Sequence, residues 1–506
     1  MRAHSTAPFF LFVAACASDP TVASSAADAS PESIVDATDG SVDTAVADTT
    51  PDATPDVTPD VTPDVTVDVV DTAIPDVFDA GPSPVTVVVR NEFAVESGVI
   101  VVFQDASGAV LSQTTTDATG SASSIVPAGS QVTALVGTPN QARLTTVTQV
   151  QPGDVITVVD TIAKEQLSTN VSVVAAPPSP PTGTTQYIVN PGGCYNYSAL
   201  PVSVFLRGQC ETAGQVPILL IAANASVTPL AYSYLKSFTL PAATDAGVAD
   251  ASAPTVTVTQ PWQTTMVTDT LAVTGPVVGN DGESKSSEIV AGVELSQTNP
   301  LRGTPDAGVY DNPFVHHPGF ADAIQDEASA RTTYVGGLGL VAIAKSMTPP
   351  TTDSTTSLDL STTLPAITAA TFDATNVARP VVTWTSSGAL GGAGGFARLT
   401  WSSALDGGGS ATGSWTIVGP ASATSATAPQ LPSTLTAWLP TSAASIQSPP
   451  IVEFVDGATV PDYATLRALS AASALFFYQG GSFNPLVPPL PPGGALRLTA
   501  FYPNNT

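Results

Sequence analysis

From Pro84 onward the chain is written in short runs of β-branched residues broken by clusters of Gly, Pro, Asn and Asp. Runs at 85–90, 99–104, 109–114, 132–136, 144–150 and 155–159 predict strands, with another around Ile125. Asp105-Ala106-Ser107-Gly108, Asp117-Ala118-Thr119-Gly120 and Gln151-Pro152-Gly153-Asp154 predict the turns between them. In such turns Asp folds its carboxylate onto the following backbone and Gly accepts a positive φ. Short strands at this spacing predict a small sandwich. A proline cluster at 177–181 marks a joint, and strands are predicted again at 186–189, 202–207, 215–222, 231–240 and 334–344. Further strands are predicted at 381–384, 396–401 and 413–418, separated by glycine-rich turns. Two segments predict helices: 321–330, where Glu327 and Arg331 stand at helical spacing, and 462–474. The fold class is therefore mainly all-β with few short helices.

The residues before Pro84 follow a different rule. Residues 50–65 repeat Thr-Pro-Asp with a four-residue beat, and residues 17–80 hold acidic side chains with no Lys or Arg. Proline every fourth residue forbids a helix, and aspartate every fourth residue repels its neighbours, so this tract predicts a disordered, extended stalk. Ahead of it an apolar run, 9–15, follows Arg2 and ends at Cys16. That pattern predicts a secretory signal and not a membrane span.

Val13-Ala14-Ala15-Cys16 resembles the lipobox of bacterial lipoprotein precursors. The resemblance implies that Cys16 is diacylated and that cleavage leaves it as the first mature residue. Ser18 rather than Asp follows the residue after Cys16, which by analogy with lipoprotein sorting implies the outer membrane. Residues 85–163 resemble the carboxypeptidase-regulatory-like, or prealbumin-like, modules. The matching features are Gly98 and its apolar run before the Gly108 turn, then 116–120 and 127–133. This resemblance implies a small prealbumin/Ig-like β-sandwich used as a spacer. The expected organisation is a signal peptide at 1–15, a Pro/Thr/Asp-rich linker at 16–84, the sandwich at 85–163, a β-rich domain at 164–375 and a sandwich-like domain at 376–506. The last two are equally readable as one unit.

A net charge of −28 with fourteen Lys and Arg in 506 residues excludes a phosphate-binding surface as a default, so no nucleic-acid partner is expected. Hydrophobic residues make up 43% of the chain, ample for packed cores. Beyond Cys16 there are two cysteines, Cys194 and Cys210, an even pair expected to form a disulfide in an oxidising compartment. Two reduced, buried thiols are the alternative.

Candidate chemistry is sparse. His316 and His317, followed by Asp322, Asp326 and Glu327, are the nearest approach to a metal constellation. Adjacent histidines in a strand or loop point to different sides, so the segment reads as a solvated loop before a charged helix face, and no metal site or cofactor is expected. The segment 337–342 fits the dinucleotide fingerprint by letter but lies in a strand-like run. Ser233-Tyr234-Leu235-Lys236 matches a penicillin-binding motif without its partner motifs. Trp384, Trp401, Trp415 and Trp438 fall on strand-like runs, where rings either pack a core or stack on sugars, and Tyr187, Tyr195 and Tyr197 allow the same two readings. The function this implies is a lipid-anchored bacterial cell-surface lipoprotein acting as a structural or interaction module, with the membrane as partner through its anchor and no catalytic site evident. A carbohydrate-binding surface protein is the alternative, and a secreted hydrolase the second.

Overall fold

In the computed structural model the described residues are 83–91, 94–160, 171–176, 178–192, 196–198, 202–206, 215–239, 255–275, 282–301, 308–404, 409–469 and 490–503. Cys16, the acidic tract, Cys194, Tyr195 and Cys210 lie outside them, as does the side chain of Tyr197. The described chain is overwhelmingly strand.

One sheet organises it. Twelve strands run in the spatial order 293–301, 282–290, 323–334, 337–347, 495–503, 451–457, 394–404, 410–420, 141–150, 130–138, 100–104 and 110–115. Neighbours are antiparallel throughout except at one seam, where Thr412 to Val418 run parallel to Gln141 to Val147. That seam pairs residues 271 positions apart in sequence, Thr412 with Gln141 for one. The boundaries drawn at 163 and 375 are therefore not boundaries of this sheet, because the 337–347 and 495–503 strands pair just as 141–150 and 410–420 do.

At one end of the sheet, the 121–124, 85–91 and 155–160 strands form a small facing layer, which completes the sandwich predicted for this stretch. Val85, Val87 and Val89 alternate into its core with Val101, Phe103, Val132, Ala134 and Ile156. The predicted turns form as expected. Asp105 Oδ1 accepts from the backbone N–H of Ser107 and Ala109, and Asp117 Oδ1 from Thr119 and Ser121. Gly120 closes the second turn at φ 73°, where a Cβ would sit 2.7 Å from the Val89 carbonyl.

At the other end a second layer, 309–316, 267–274 and 354–359, stacks over the 282–290 and 323–334 strands. Leu271, Val273, Phe314, Leu358, Ala328, Ala330 and Ile343 fill the space between. The helix expected at 321–330 is not there. Ala323–Tyr334 is a strand, bonded to 282–290 on one side and 337–347 on the other. Local propensity from Ala, Gln and Glu is worth only tenths of a kcal/mol per residue, and two flanking ladders override it. The second expected helix is shorter than read: Tyr463–Ala468 is helical, capped by Asp462 accepting from Thr465 N–H, while 470–474 lie outside the described residues. Gly337–Met347 is one unbroken strand, so no phosphate-cradling helix follows the 337–342 glycines.

Candidate functional site

A group of buried polar residues lies between the layers of the second sandwich. On a two-layer β structure, alternate residues of each strand face the core, and polar side chains in those slots are buried. Val267, Asp269, Leu271 and Val273 share one face of their strand, as do Phe314 and His316, and Ile324, Asp326, Ala328 and Ala330 on theirs. Ser284, Ser286 and Glu288 line the same gap from 282–290, where Ser286 pairs in register with Asp326. Asp269, Ser286 and Asp326 are fully buried and His316 is 1% exposed.

The hydrogen bonds within this cluster fix most of it. Ser286 Oγ donates to Asp326 Oδ1 at 2.5 Å and lies 3.2 Å from His316 Nε2. A serine hydroxyl carries one hydrogen, so the second contact is His316 Nε2–H donating to Ser286. That tautomer leaves the Nδ1 of His316 as a bare acceptor, 4.0 Å from Glu288 Oε1. Across the gap Ser354 Oγ donates to Asp269 Oδ1 at 2.5 Å. One ligand-type atom from each of Asp269, His316 and Asp326 lies within 4.8 Å of the others. Burial pushes the Asp326 carboxyl up to about 7, the Asp269 charge adds to this, and the Ser286 hydrogen bond works against it. Burial likewise lowers His316, opposed by Glu288 and Asp269.

The two histidines therefore part company. His317 takes Glu288, its backbone N–H donating to Oε1 at 2.7 Å and its Nδ1 lying 2.9 Å from Oε2. The expected solvated loop is thus corrected: both rings are enclosed by the sandwich because 309–316 pairs along its length with 267–274. Asp322 is at the surface, paired with Lys236 at 2.9 Å, and Glu327 faces the other side of the sheet beside buried Lys285. Burial alone would lower the Lys285 ammonium, but Glu327 and Glu294 more than offset it and its affinity for a proton is raised. Ser233 donates to the Gln260 carbonyl and lies in a strand, as the chance reading of its motif requires.

The four tryptophans weighed for sugar stacking are buried. Trp384, Trp401, Trp415 and Trp438 are all core residues, the most exposed at 9%, and Trp438 lies in a 3₁₀ turn, not a strand. Tyr187 is buried too, stacked on Trp262 with centroids 5.9 Å apart. Trp384, Phe396, Ile417 and Phe454 border a hollow of about 230 Å³, and no titratable side chain lines it.

The signal for the buried cluster was present in the sequence as a polar residue in a core-parity slot. Asp269 interrupts the alternation Val267, Leu271, Val273, and Asp326 interrupts Ile324, Ala328, Ala330. Ser286 and Ser354 carry no such signal, since small hydroxyls are common on either face.

No family model matches the chain, and no curated protein matches it. Among solved structures, the Bacillus anthracis TIE protein is similar over 55% of this chain, at 10% identity and a TM-score of 0.14. The match takes in 50% of that protein's own chain. BcpA, the major pilin subunit of Bacillus cereus, is matched at 10% identity and a TM-score of 0.13, over 55% of this chain and 99% of that one. A Streptococcal ancillary pilin is matched at 8% identity and a TM-score of 0.12, over 55% and 99%. At TM-scores this low the likenesses carry no argument about fold or function.

Proposed function

We propose that this chain is a lipid-anchored bacterial surface protein acting as a structural or interaction module. In this reading Cys16 carries the lipid, the acidic tract at 16–84 holds the β assembly away from the membrane, and Cys194 and Cys210 are joined outside the cell. The observation that carries it is the assembly itself. From residue 83 on, the described chain is one strand-built body in which Tyr187, the four tryptophans and the His-Asp cluster are enclosed, while the tract before it holds acidic side chains and no Lys or Arg. The hydrolase alternative loses support because Ser286 beside His316 is fully buried.

The anchor is tested by fractionation and mass spectrometry of wild type and Cys16→Ser. Two acyl chains hold a protein on a bilayer where one binds only marginally. Wild type is expected in the membrane fraction with a diacylated N-terminal cysteine, and the variant in the soluble fraction. An unmodified Cys16 in the mature protein overturns the reading. Labelling of unfolded, unreduced protein is expected to find no free thiol at Cys194 or Cys210.

A further inference from the structure

We propose that Asp269, His316 and Asp326 bind one divalent transition-metal ion, with Zn²⁺ as the first-row ion that fits best, between the two layers of the second sandwich. The three side chains come from three strands and two sheets, and each is buried beyond nine-tenths. Each also carries an atom with no hydrogen-bond partner among the described residues: Oδ2 of Asp269, Oδ2 of Asp326 and Nδ1 of His316. Buried acceptors left unpaired are costly, because each such polar group loses on the order of 1–3 kcal/mol. No Lys or Arg among the described residues pairs with either carboxylate. A cation held by one ligand atom from each of the three residues offsets that cost.

The surroundings are those of ligands held in place. Ser354 and Ser286 donate to the other oxygen of each carboxylate, and Ser286 also accepts from His316 Nε2–H. Such outer hydrogen bonds orient a ligand and fix the imidazole tautomer that leaves a nitrogen lone pair free. An imidazole with two carboxylates suits Zn²⁺ or Mn²⁺, whereas Ca²⁺ asks for six to eight oxygens and does not favour a ring nitrogen. Bonds of roughly 2.0–2.2 Å to a tetrahedral ion place ligand atoms roughly 3.4 Å apart, so separations within 4.8 Å close by small side-chain rotations. Ser354, which donates to Asp269, lies on the edge strand of the smaller sheet and is only half-buried, as is Thr356. Binding displaces any proton held by Asp326, so affinity rises with pH until the metal hydrolyses.

The test uses the full chain, stripped with EDTA and offered ZnCl₂, with MnCl₂ and CaCl₂ in parallel. Metal content after desalting is read by mass spectrometry, the thermal midpoint by circular dichroism, and coordination by the visible spectrum of the Co²⁺ form. One equivalent of Zn²⁺ per chain is expected to survive desalting, raising the midpoint reversibly, with Co²⁺ showing the intense bands of a four- or five-coordinate site. Asp326→Asn and His316→Gln are expected to weaken binding at least about tenfold while keeping a β spectrum. Asp322→Asn, at the surface, is expected to bind as wild type, which separates this site from diffuse binding by acidic segments. Should the two core variants fail to fold, the wild-type midpoint and the Co²⁺ spectrum decide alone. Loss of Zn²⁺ on desalting with an unmoved midpoint, or equal retention by folded Asp326→Asn, overturns the proposal.

Discussion

Trp415 donates its indole N–H to Thr146 Oγ1 at 2.9 Å, across the parallel seam and 269 residues of chain. Thr146 Oγ1 lies 2.8 Å from Thr133 Oγ1, which Gln104 reaches in turn, so a hydrogen-bonded row crosses the core from one strand to the next. Thr146→Val keeps the shape and removes the acceptor, leaving the indole N–H buried and unpaired. The expected cost is about 1–3 kcal/mol, read as a lower denaturant midpoint with an unchanged slope. A midpoint within experimental error of wild type would show that the row contributes nothing.

The seam also governs what happens when the chain is cut. A fragment of residues 83–163 keeps its own small sandwich but exposes the edge of the 141–150 strand that Ser410–Pro420 covers in the whole protein. Leu144 and Val147 on that strand are buried in cores shared with residues of the later strands. Open, apolar strand edges template pairing with other chains. The fragment is expected to elute as oligomers or precipitate. A soluble, monomeric fragment with a cooperative transition would mean that the sequence boundary at 163 is a true domain boundary.

That boundary illustrates what the sequence carried and what it did not. Strand positions and turn chemistry were legible because they are local: Val85, Val87 and Val89 alternate, and Asp105 and Asp117 fold onto the next residues. Pairing was not legible, because nothing near Ala142 announces that Gly413 is its neighbour. The same gap explains the lost helix at 321–330. Its Ala, Gln and Glu residues read as helical only while the ladders on either side are unknown. Of the buried cluster, His316 and Asp326 were visible as chemistry, but Asp269 comes from a strand about fifty residues upstream and is brought in by register alone.

Glu453 gives the chain a built-in pH dependence. Its strand lies between two others, Tyr502 Oη donates to its Oε2 at 2.7 Å, and its Oε1 has no hydrogen-bond partner among the described residues. Burial pushes the carboxyl up to about 8 from an ordinary 4.5, against the opposing effects of the Tyr502 hydrogen bond and the Arg398 charge. An acid raised in the folded state keeps its proton there while the unfolded chain releases it. Folded protein therefore binds more protons between about pH 4.5 and pH 8, and the stability tied to this group is full below that window and falls as pH rises through it. The slope from one such group approaches about 1.4 kcal/mol per pH unit. Glu453→Gln keeps an acceptor for Tyr502 and has nothing to ionise. Chemical unfolding at pH 5, 6, 7 and 8 is expected to show wild type losing stability relative to the variant at each step, with the variant the more stable at pH 8. Parallel curves for the two proteins would mean that Glu453 is ionised in the fold, with Arg398 holding its charge.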